Sequence, residues 1–134
     1  MKVLVTGAGG FLGKKVVKIF REKKMEVIAT EKTQKSGIIG LDITDKKMAE
    51  QVIKEHKPYL VVHTAAITAV DWCERHKKET FEINVEGTRN VALACKKTGA
   101  KMVFISTDYV FDGTKKGKYT EDDSTNPQNV YAES

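Results

Sequence analysis

Residues 1–13 read Met-Lys-Val-Leu-Val-Thr-Gly-Ala-Gly-Gly-Phe-Leu-Gly, and this stretch decides the fold. Lys2–Thr6 is an apolar run rich in β-branched residues, and apolar residues then recur from Phe11 to Phe20 at helical spacing. The glycines between them permit a tight turn, and unpaired amides at a helix start offer a diphosphate both hydrogen bonds and the positive end of a dipole. The stretch therefore predicts a strand, a turn and a helix that bind a diphosphate group.

The glycine spacing is that of a dinucleotide turn rather than of other phosphate loops. Gly7, Gly10 and Gly13 fit the pattern G-x-x-G-x-x-G, whereas a strict G-x-G-x-x-G would need a glycine in place of Leu12. A Walker-type loop is excluded because Lys15 stands where Ser or Thr is required. The predicted cofactor-binding residues of this turn are Gly7, Gly10, Phe11, Leu12 and Gly13.

The rest of the chain alternates between strand and helix patterns. Further strands are predicted at Glu26–Thr30, Ile38–Leu41, Tyr59–His63 and Lys101–Ser106, and helices from Thr44-Asp45 to His56 and over Glu79–Thr98. Apolar strands separated by helices indicate a parallel sheet covered on both faces. We predict an α/β fold, a doubly wound parallel sheet (Rossmann fold) with about five strands, forming one domain over residues 1–134. Ligands of such sheets lie beyond the carboxyl ends of the strands.

Composition and charge exclude several classes of protein. The net charge is +5, but the lysines are scattered and no aromatic-basic platform accompanies them, so we expect no nucleic-acid partner. Apolar runs are far shorter than the roughly 20 residues of a membrane helix, and no secretion signal precedes the first strand, so we expect a cytoplasmic protein outside the membrane. Cys73 and Cys95 lack metal-ligand spacing and are expected to be free thiols, with no metal site.

An acidic residue follows the second strand at the position where a dinucleotide's adenosine ribose is bound. Glu31 could accept hydrogen bonds from both ribose hydroxyls, which slightly favours NAD, although it could also be a simple surface charge. Lys32 and Lys35 lie close enough to accommodate a 2′-phosphate, so NADP stays open. Asp42 and Ile43 follow the third strand, where Asp42 could meet the adenine amino group or cap the next helix.

Small residues follow the fourth strand. Ala65 and Ala66 would let the ribose and phosphates of the cofactor lie against the backbone. His63 has no partner at metal or triad spacing, so a packed residue at the strand end is favoured over a catalyst. Asp71 and Glu74 could be paired acids, but negative charge at a helix start explains them equally well.

Hydroxyl groups follow the fifth strand in the run Ser106-Thr107-Asp108-Tyr109-Val110-Phe111-Asp112-Gly113. A hydroxyl at such a strand end can donate a hydrogen bond to a substrate carbonyl. Neither Thr107 nor Tyr131, which lies near the last residue of the sequence, would be notable alone.

Five segments taken together carry a resemblance: Thr6–Gly13, Ala65–Glu74, Asn84–Thr88, Ser106–Gly113 and Pro127–Tyr131. They resemble the extended short-chain dehydrogenase/reductase family, and within it the dTDP-4-dehydrorhamnose reductases and their relatives. The resemblance implies reduction of a nucleotide-linked 4-keto-6-deoxy sugar with NAD or NADP. It also implies that Thr107 and Tyr131 are catalytic, that Ser106 contacts the cofactor, and that Asn84 supports the site.

The same resemblance implies a Tyr-x-x-x-Lys pair on one helix, since four-residue spacing puts both side chains on one face. Tyr131 matches the tyrosine, but the lysine would be residue 135 and the sequence ends at Ser134. We therefore expect the sugar-binding region and the rest of the sheet to be missing from these 134 residues, which should not turn over substrate alone. Apolar surface left uncovered where later strands dock could make the chain self-associate.

Two alternative functions stay open at this point. Sugar epimerases and dehydratases of the same family share the glycine turn. The regulatory subunit of methionine adenosyltransferase also resembles this branch and uses the fold to bind a nucleotide and a partner. A lysine at residue 135 of a longer chain would favour an enzyme over such a binding module.

Overall fold

A five-stranded parallel sheet forms the centre of the computed structural model, which describes residues 1–134. The strands are β1 Lys2–Thr6, β2 Glu26–Glu31, β3 Ile39–Gly40, β4 Leu60–His63 and β5 Lys101–Phe104. Their order is β3-β2-β1-β4-β5, and all neighbours pair in parallel. The chain builds outward from β1 to β3 and then returns to the other side of β1. The predicted doubly wound sheet is confirmed. The direction in which successive strands are added reverses between β1 and β4.

Helices connect the strands. They are α1 Phe11–Glu22, α2 Lys46–His56, α3 Val70–Arg75, α4 Lys77–Phe81, α5 Thr88–Thr98 and α6 Val130–Glu133. A π-helical segment, Glu82–Gly87, joins α4 to α5, and a 3₁₀ turn, Asp108–Val110, follows β5. The longest helix has 12 residues, so none could cross a membrane.

Each face of the sheet carries its own apolar core. The larger core lies under α2 and α5 and consists of Leu4, Ile28, Leu41, Ile43, Ala49, Val52, Ile53, Val61, Val91, Ala94 and Cys95. The smaller core lies under α1 and consists of Val3, Val5, Ala8, Val17, Ala29 and Val62. Because alternate residues of β1 enter opposite cores, its near-continuous apolar sequence is required by burial on both sides. The two cysteines are buried free thiols, as the sequence predicts.

The ends of α2 and α5 follow from local chemistry. Asp45 caps α2, since its carboxylate accepts hydrogen bonds from the amides of Lys47 at 2.9 Å and Met48 at 3.0 Å. Gly99 ends α5 in the left-handed conformation with φ of 74°. Both boundaries agree with the sequence prediction.

The helix predicted over Glu79–Thr98 is present, but it is π-helical rather than α-helical over Glu82–Gly87. The α-helix begins at Lys77 and gives way to the π-helical segment. Within that segment the side chain of Asn84 bonds to both backbone groups of Ile67, at 2.8 Å and 3.0 Å. Gly87 has no side chain, and a Cβ there would lie 2.6 Å from Ile43. These tertiary contacts favour a π-helical turn over an α-helical one. They cannot be predicted from the spacing of apolar residues in the sequence.

Two strands are shorter than predicted. β3 has two residues, Ile39 and Gly40, and β5 ends at Phe104 rather than at Ser106. Both strands lie at the edges of the sheet, where each has a neighbour on one side only. Pairing therefore stops where the single neighbouring strand stops.

The edge strand β5 exposes large apolar side chains. Val103 is 45% exposed, Phe104 54% and Ile105 43%. Such a strand also presents unpaired backbone groups along its outer side. The surface therefore has both the apolar area and the open edge through which chains associate.

We predict that the 134-residue chain self-associates through β5. Val103→Lys should lower the average mass measured by light scattering at a given concentration, because a charge on an edge strand opposes pairing. Ile19→Lys is the matched control, since Ile19 is 50% exposed on α1, away from this edge. A monodisperse monomer for the unaltered chain at all concentrations would contradict the prediction.

Candidate functional site

Three backbone amides at the start of α1 have no hydrogen-bond acceptor within the chain. They belong to Phe11, Leu12 and Gly13, whereas the amide of Lys14 is the first to be paired, with the carbonyl of Gly10 at 3.1 Å. Gly10 precedes the helix in an extended conformation and offers no capping side chain. Unpaired amides at the positive end of a helix dipole form a binding site for a phosphate group.

The glycines of this turn are required by close backbone contacts. Gly7 has φ of 65°, and a Cβ there would lie 2.8 Å from the backbone of Ala65. A Cβ on Gly13 would overlap the carbonyl oxygen of Gly7, and one on Gly9 would overlap the carboxylate of Glu31. The turn can therefore lie against the loop after β4 and the first turn of α1 only because Gly7 and Gly13 have no side chains, whereas the flexible Glu31 side chain could move away from a Cβ at Gly9.

A crevice crosses the carboxyl edge of the sheet between β1 and β4 and has two connected parts. We call the part of about 300 Å³ the adenosine end and the part of about 480 Å³ the deep end. Both are bordered by Gly7, Gly10, Thr64, Ala65 and Ala66. The adenosine end adds Glu31, Asp42 and Ile43, and the deep end adds Phe11, Leu12, Gly13, Ser106, Thr107 and Tyr131. The structure thus brings every residue of the predicted site to one continuous crevice.

Acidic and basic side chains pair at the adenosine end. Glu31 accepts a hydrogen bond from Lys35 at 3.1 Å, and Lys32 lies 3.4 Å from Asp42. The hydroxyl of Thr44 donates to Asp42 at 2.7 Å, which, together with the Thr44 amide and Lys32, lowers the pKa of Asp42. Asp45 rather than Asp42 caps α2, so the capping interpretation of Asp42 is wrong.

At the deep end, Thr107 and Tyr131 are held by short helical turns. The hydroxyl oxygen of Thr107 accepts the amide of Tyr109 at 3.3 Å, and Tyr109 meets the ring of Tyr131 edge-on at 6.1 Å. The helix α6 carries Tyr131, and Glu74 accepts the amide of Val130 at the start of that helix at 2.8 Å. Glu74 therefore anchors the start of α6.

Asn84 closes the wall of the deep end. It is 7% exposed, and its amide nitrogen donates to Ile67 at 3.0 Å and to the hydroxyl of Ser134 at 2.9 Å. Its oxygen accepts the amide of Ile67 at 2.8 Å. One side chain thus ties the loop after β4 to the helix that carries Tyr131.

Sequence patterns did not predict two of the buried polar contacts. His63 is 1% exposed and lies between Thr6 at 2.8 Å and Thr88 at 3.0 Å, and burial lowers its pKa to about 4. Asn90 donates to the carbonyls of Ile43 at 3.0 Å and Thr44 at 3.2 Å, which fixes the loop at the adenosine end. Each is a polar residue among the apolar residues of a buried strand or helix face. No other feature of the sequence marks these two residues.

The carboxylate of Asp112 holds together much of the loop between the 3₁₀ turn and α6. Asp112 accepts hydrogen bonds from Thr114, Tyr119 and Asn126, and these bonds hold the pKa of its carboxyl well below the usual range. The ring of Phe111 stacks on Tyr119 with centroids 4.3 Å apart. The loop leads to α6, so its order helps to place Tyr131.

Comparison with known proteins decides the family. The profile of the RmlD substrate binding domain matches residues 1–134. The chain belongs to the RmlD substrate-binding domain family. This membership confirms the resemblance found in the sequence.

Relatives of this RmlD-family chain include sugar-nucleotide reductases and beta subunits of methionine adenosyltransferase 2. A dTDP-4-dehydrorhamnose reductase of Aggregatibacter actinomycetemcomitans is 37% identical over 134 residues, which are 99% of this chain and 44% of that protein. Methionine adenosyltransferase 2 subunit beta of Bos taurus is 33% identical over 131 residues, which are 97% of this chain and 39% of that protein. The chain spans less than half the length of either relative.

A solved structure of the same family has the same fold. The crystal structure of a dTDP-4-dehydrorhamnose reductase from Bacillus anthracis in complex with NADP matches with a TM-score of 0.87 and 36% identity. The match covers 98% of this chain and 45% of that one. The RmlD-family chain thus corresponds to somewhat less than half of that structure.

The close contact at Gly7 predicts a specific loss of stability. Gly7→Ala should lower the free energy of unfolding by about 3 kcal/mol, through the left-handed backbone and the collision with Ala65. Gly37→Ala is the matched control, because Gly37 has φ of 72° with nothing within 4 Å of a Cβ, and should lose about 1 kcal/mol. Urea unfolding measures both, and equal losses would contradict the assigned contact.

Proposed function

We propose that this chain binds NAD(H) or NADP(H) across its crevice and forms the cofactor half of a reductase acting on a nucleotide-linked 4-keto-6-deoxy sugar. The observation that carries the proposal is the set of unpaired amides at Phe11, Leu12 and Gly13, which open onto the point where the strand order reverses. The relative from Bacillus anthracis was crystallised with NADP, which supports a nicotinamide cofactor.

The residues of the crevice fit a dinucleotide along its length. The amides of α1 would hold the diphosphate, and the alanines after β4 leave room for the riboses. At the adenosine end, Ile43 and Ile83 offer apolar walls to a purine ring, and Asp42 offers an acceptor to its amino group. The crevice therefore supplies phosphate, ribose and base contacts in the order in which a dinucleotide presents them.

The adenosine end can accept either cofactor. The carboxylate of Glu31 could accept both ribose hydroxyls, which favours NAD slightly. A 2′-phosphate would meet that carboxylate but could recruit Lys35 and Lys32, whose present partners are Glu31 and Asp42. Both ion pairs are exposed and are worth little, so the lysines can exchange partners at small cost.

The deep end offers the groups for ketone reduction. When bound, the reduced nicotinamide supplies a hydride to the carbonyl carbon. Thr107 would donate a hydrogen bond to the carbonyl oxygen and Tyr131 would give that oxygen a proton, which completes the alcohol. Asn84 would support Tyr131 by holding the loop after β4 against the end of α6. A lysine four residues after Tyr131 would stabilise the phenolate that remains.

A non-catalytic binding module is the second candidate. The similarity to methionine adenosyltransferase 2 subunit beta, at 33% identity, favours it specifically. Both candidates require dinucleotide-type binding at the crevice, and they differ in whether Tyr131 transfers a proton. The residue at position 135 of a longer chain discriminates between them, since lysine favours the enzyme.

Dinucleotide binding is the first test. The 134-residue chain should bind NADH and NADPH in calorimetric titrations. Gly10→Val should weaken binding at least about tenfold, because its side chain would enter the place of the diphosphate. Gly10 has ordinary φ of −73°, so the variant should keep its circular dichroism spectrum. Absence of binding by the unaltered chain would refute the proposal.

The catalytic roles are tested by steady-state NADH oxidation with a dTDP-linked 4-keto-6-deoxy sugar. The 134 residues alone should be inactive, and a chain extended beyond residue 135 should be active. In the extended chain, Tyr131→Phe should lower kcat by about 100-fold or more without weakening NADH binding. Tyr59→Phe is the control, since Tyr59 is 50% exposed just before β4, at the opposite edge of the sheet. Full activity in Tyr131→Phe would contradict the assigned role.

A further inference from the structure

Three hydrogen-bonded polar side chains, which we call the relay, cross the sheet edge beneath the deep end: Thr6 and His63 are buried, and Thr88 is half-buried. His63, the last residue of β4, pairs in register with Thr6 of β1. Its Nδ1 lies 2.8 Å from the hydroxyl of Thr6, and its Nε2 lies 3.0 Å from the hydroxyl of Thr88, the first residue of α5. The imidazole thus joins two adjacent strands to the helix that covers them.

The direction of these hydrogen bonds follows from the partners of Thr6. Its hydroxyl oxygen accepts the amides of Thr64 at 3.2 Å and Ala65 at 3.3 Å, so both of its lone pairs are used. The hydroxyl proton must then go to Nδ1 of His63. A neutral imidazole with an accepting Nδ1 carries its proton on Nε2, which donates to Thr88. The direction of donation is therefore Thr6 to His63 to Thr88.

One end of this relay, Thr88, lines the deep end of the crevice, and the other end, Thr6, is buried beneath it. Thr6 fixes the amides of Thr64 and Ala65, which form the floor after β4. Thr88 follows directly on the π-helical segment that contains Asn84. His63 and Thr88 line the deep end, and neither lines the adenosine end. Thr64 and Ala65 border both ends of the crevice, so the part of the relay that is specific to the deep end is His63 and Thr88.

We propose that His63 is a positioning residue for the nicotinamide half of a bound dinucleotide. It holds the loop after β4 and the start of α5 at the separation that this half requires. The inference rests on the proposed cofactor binding and goes beyond it, because it assigns a separate support to one half of the ligand. At the adenosine end, the side chains of Glu31 and Asp42 bond to Lys35, Thr44 and Lys32 and make no hydrogen bond to Thr6, His63 or Thr88.

The test compares NADH with ADP, which lacks the nicotinamide half, in calorimetric titrations of the 134-residue chain. Thr88→Val removes the acceptor of the His63 proton but keeps the side-chain shape. It should weaken NADH binding about tenfold and leave ADP binding within about twofold. Thr88→Ser keeps the hydroxyl and should restore NADH binding.

A second pair of variants addresses the imidazole itself. His63→Gln can still reach Thr88, whereas His63→Leu can reach neither partner, so NADH binding should fall further in His63→Leu. Equal losses of NADH and ADP affinity in Thr88→Val, or no loss of either, would overturn the assignment of His63 as a positioning residue. The proposed cofactor site would not be affected by that result. Failure of the unaltered chain to bind ADP would overturn the proposed cofactor site and the assignment with it.

Discussion

The geometry of the site depends on how closely the turn after β1 approaches the loop after β4. Gly7 lies against the backbone of Ala65, a contact that a single Cβ would prevent. Thr6 and Thr64 fasten the contact from both sides, since the Thr64 hydroxyl donates to the Thr6 carbonyl at 2.6 Å and the Thr6 hydroxyl accepts two amides of the loop. With these two chain segments fixed, the crevice above them has a fixed floor.

At the head of α1, the hydrogen-bond donors open to an anionic group are backbone amides rather than lysine side chains. The net charge of +5 would suggest attraction of phosphates by side chains, but Lys32 and Lys35 are engaged with Asp42 and Glu31. The three amides at the head of α1 have no competing acceptor within the chain. Their position is set by the fold, so a phosphate group meets donors that need no rearrangement.

The sequence predicted the architecture because strong local signals coincide with it. Buried strands must be apolar throughout, and in the glycine turn after β1 the close backbone contacts at Gly7 and Gly13 leave no room for a side chain. The π-helical segment escaped prediction because it depends on Asn84 reaching Ile67, a contact between residues 17 positions apart. His63 packs at a strand end, as expected, but the sequence does not reveal its hydrogen-bond partners. Thr6 reaches it through the pairing of β1 with β4, and Thr88 reaches it because α5 packs back onto the sheet. Tertiary contacts between polar residues leave almost no periodic signal.

The π-helical segment also bears on which insertions and deletions the chain can accept. A π-helical turn contains one residue more than the α-helical turn it replaces. Deletion of one residue within Glu82–Gly87 would leave a regular α-helix, which is locally more stable. The residues before the deletion would, however, be rotated about the helix axis by about 100° relative to α5. Asn84 would then leave Ile67 and Ser134. In this stretch a change in chain length is therefore more damaging than most changes of residue type.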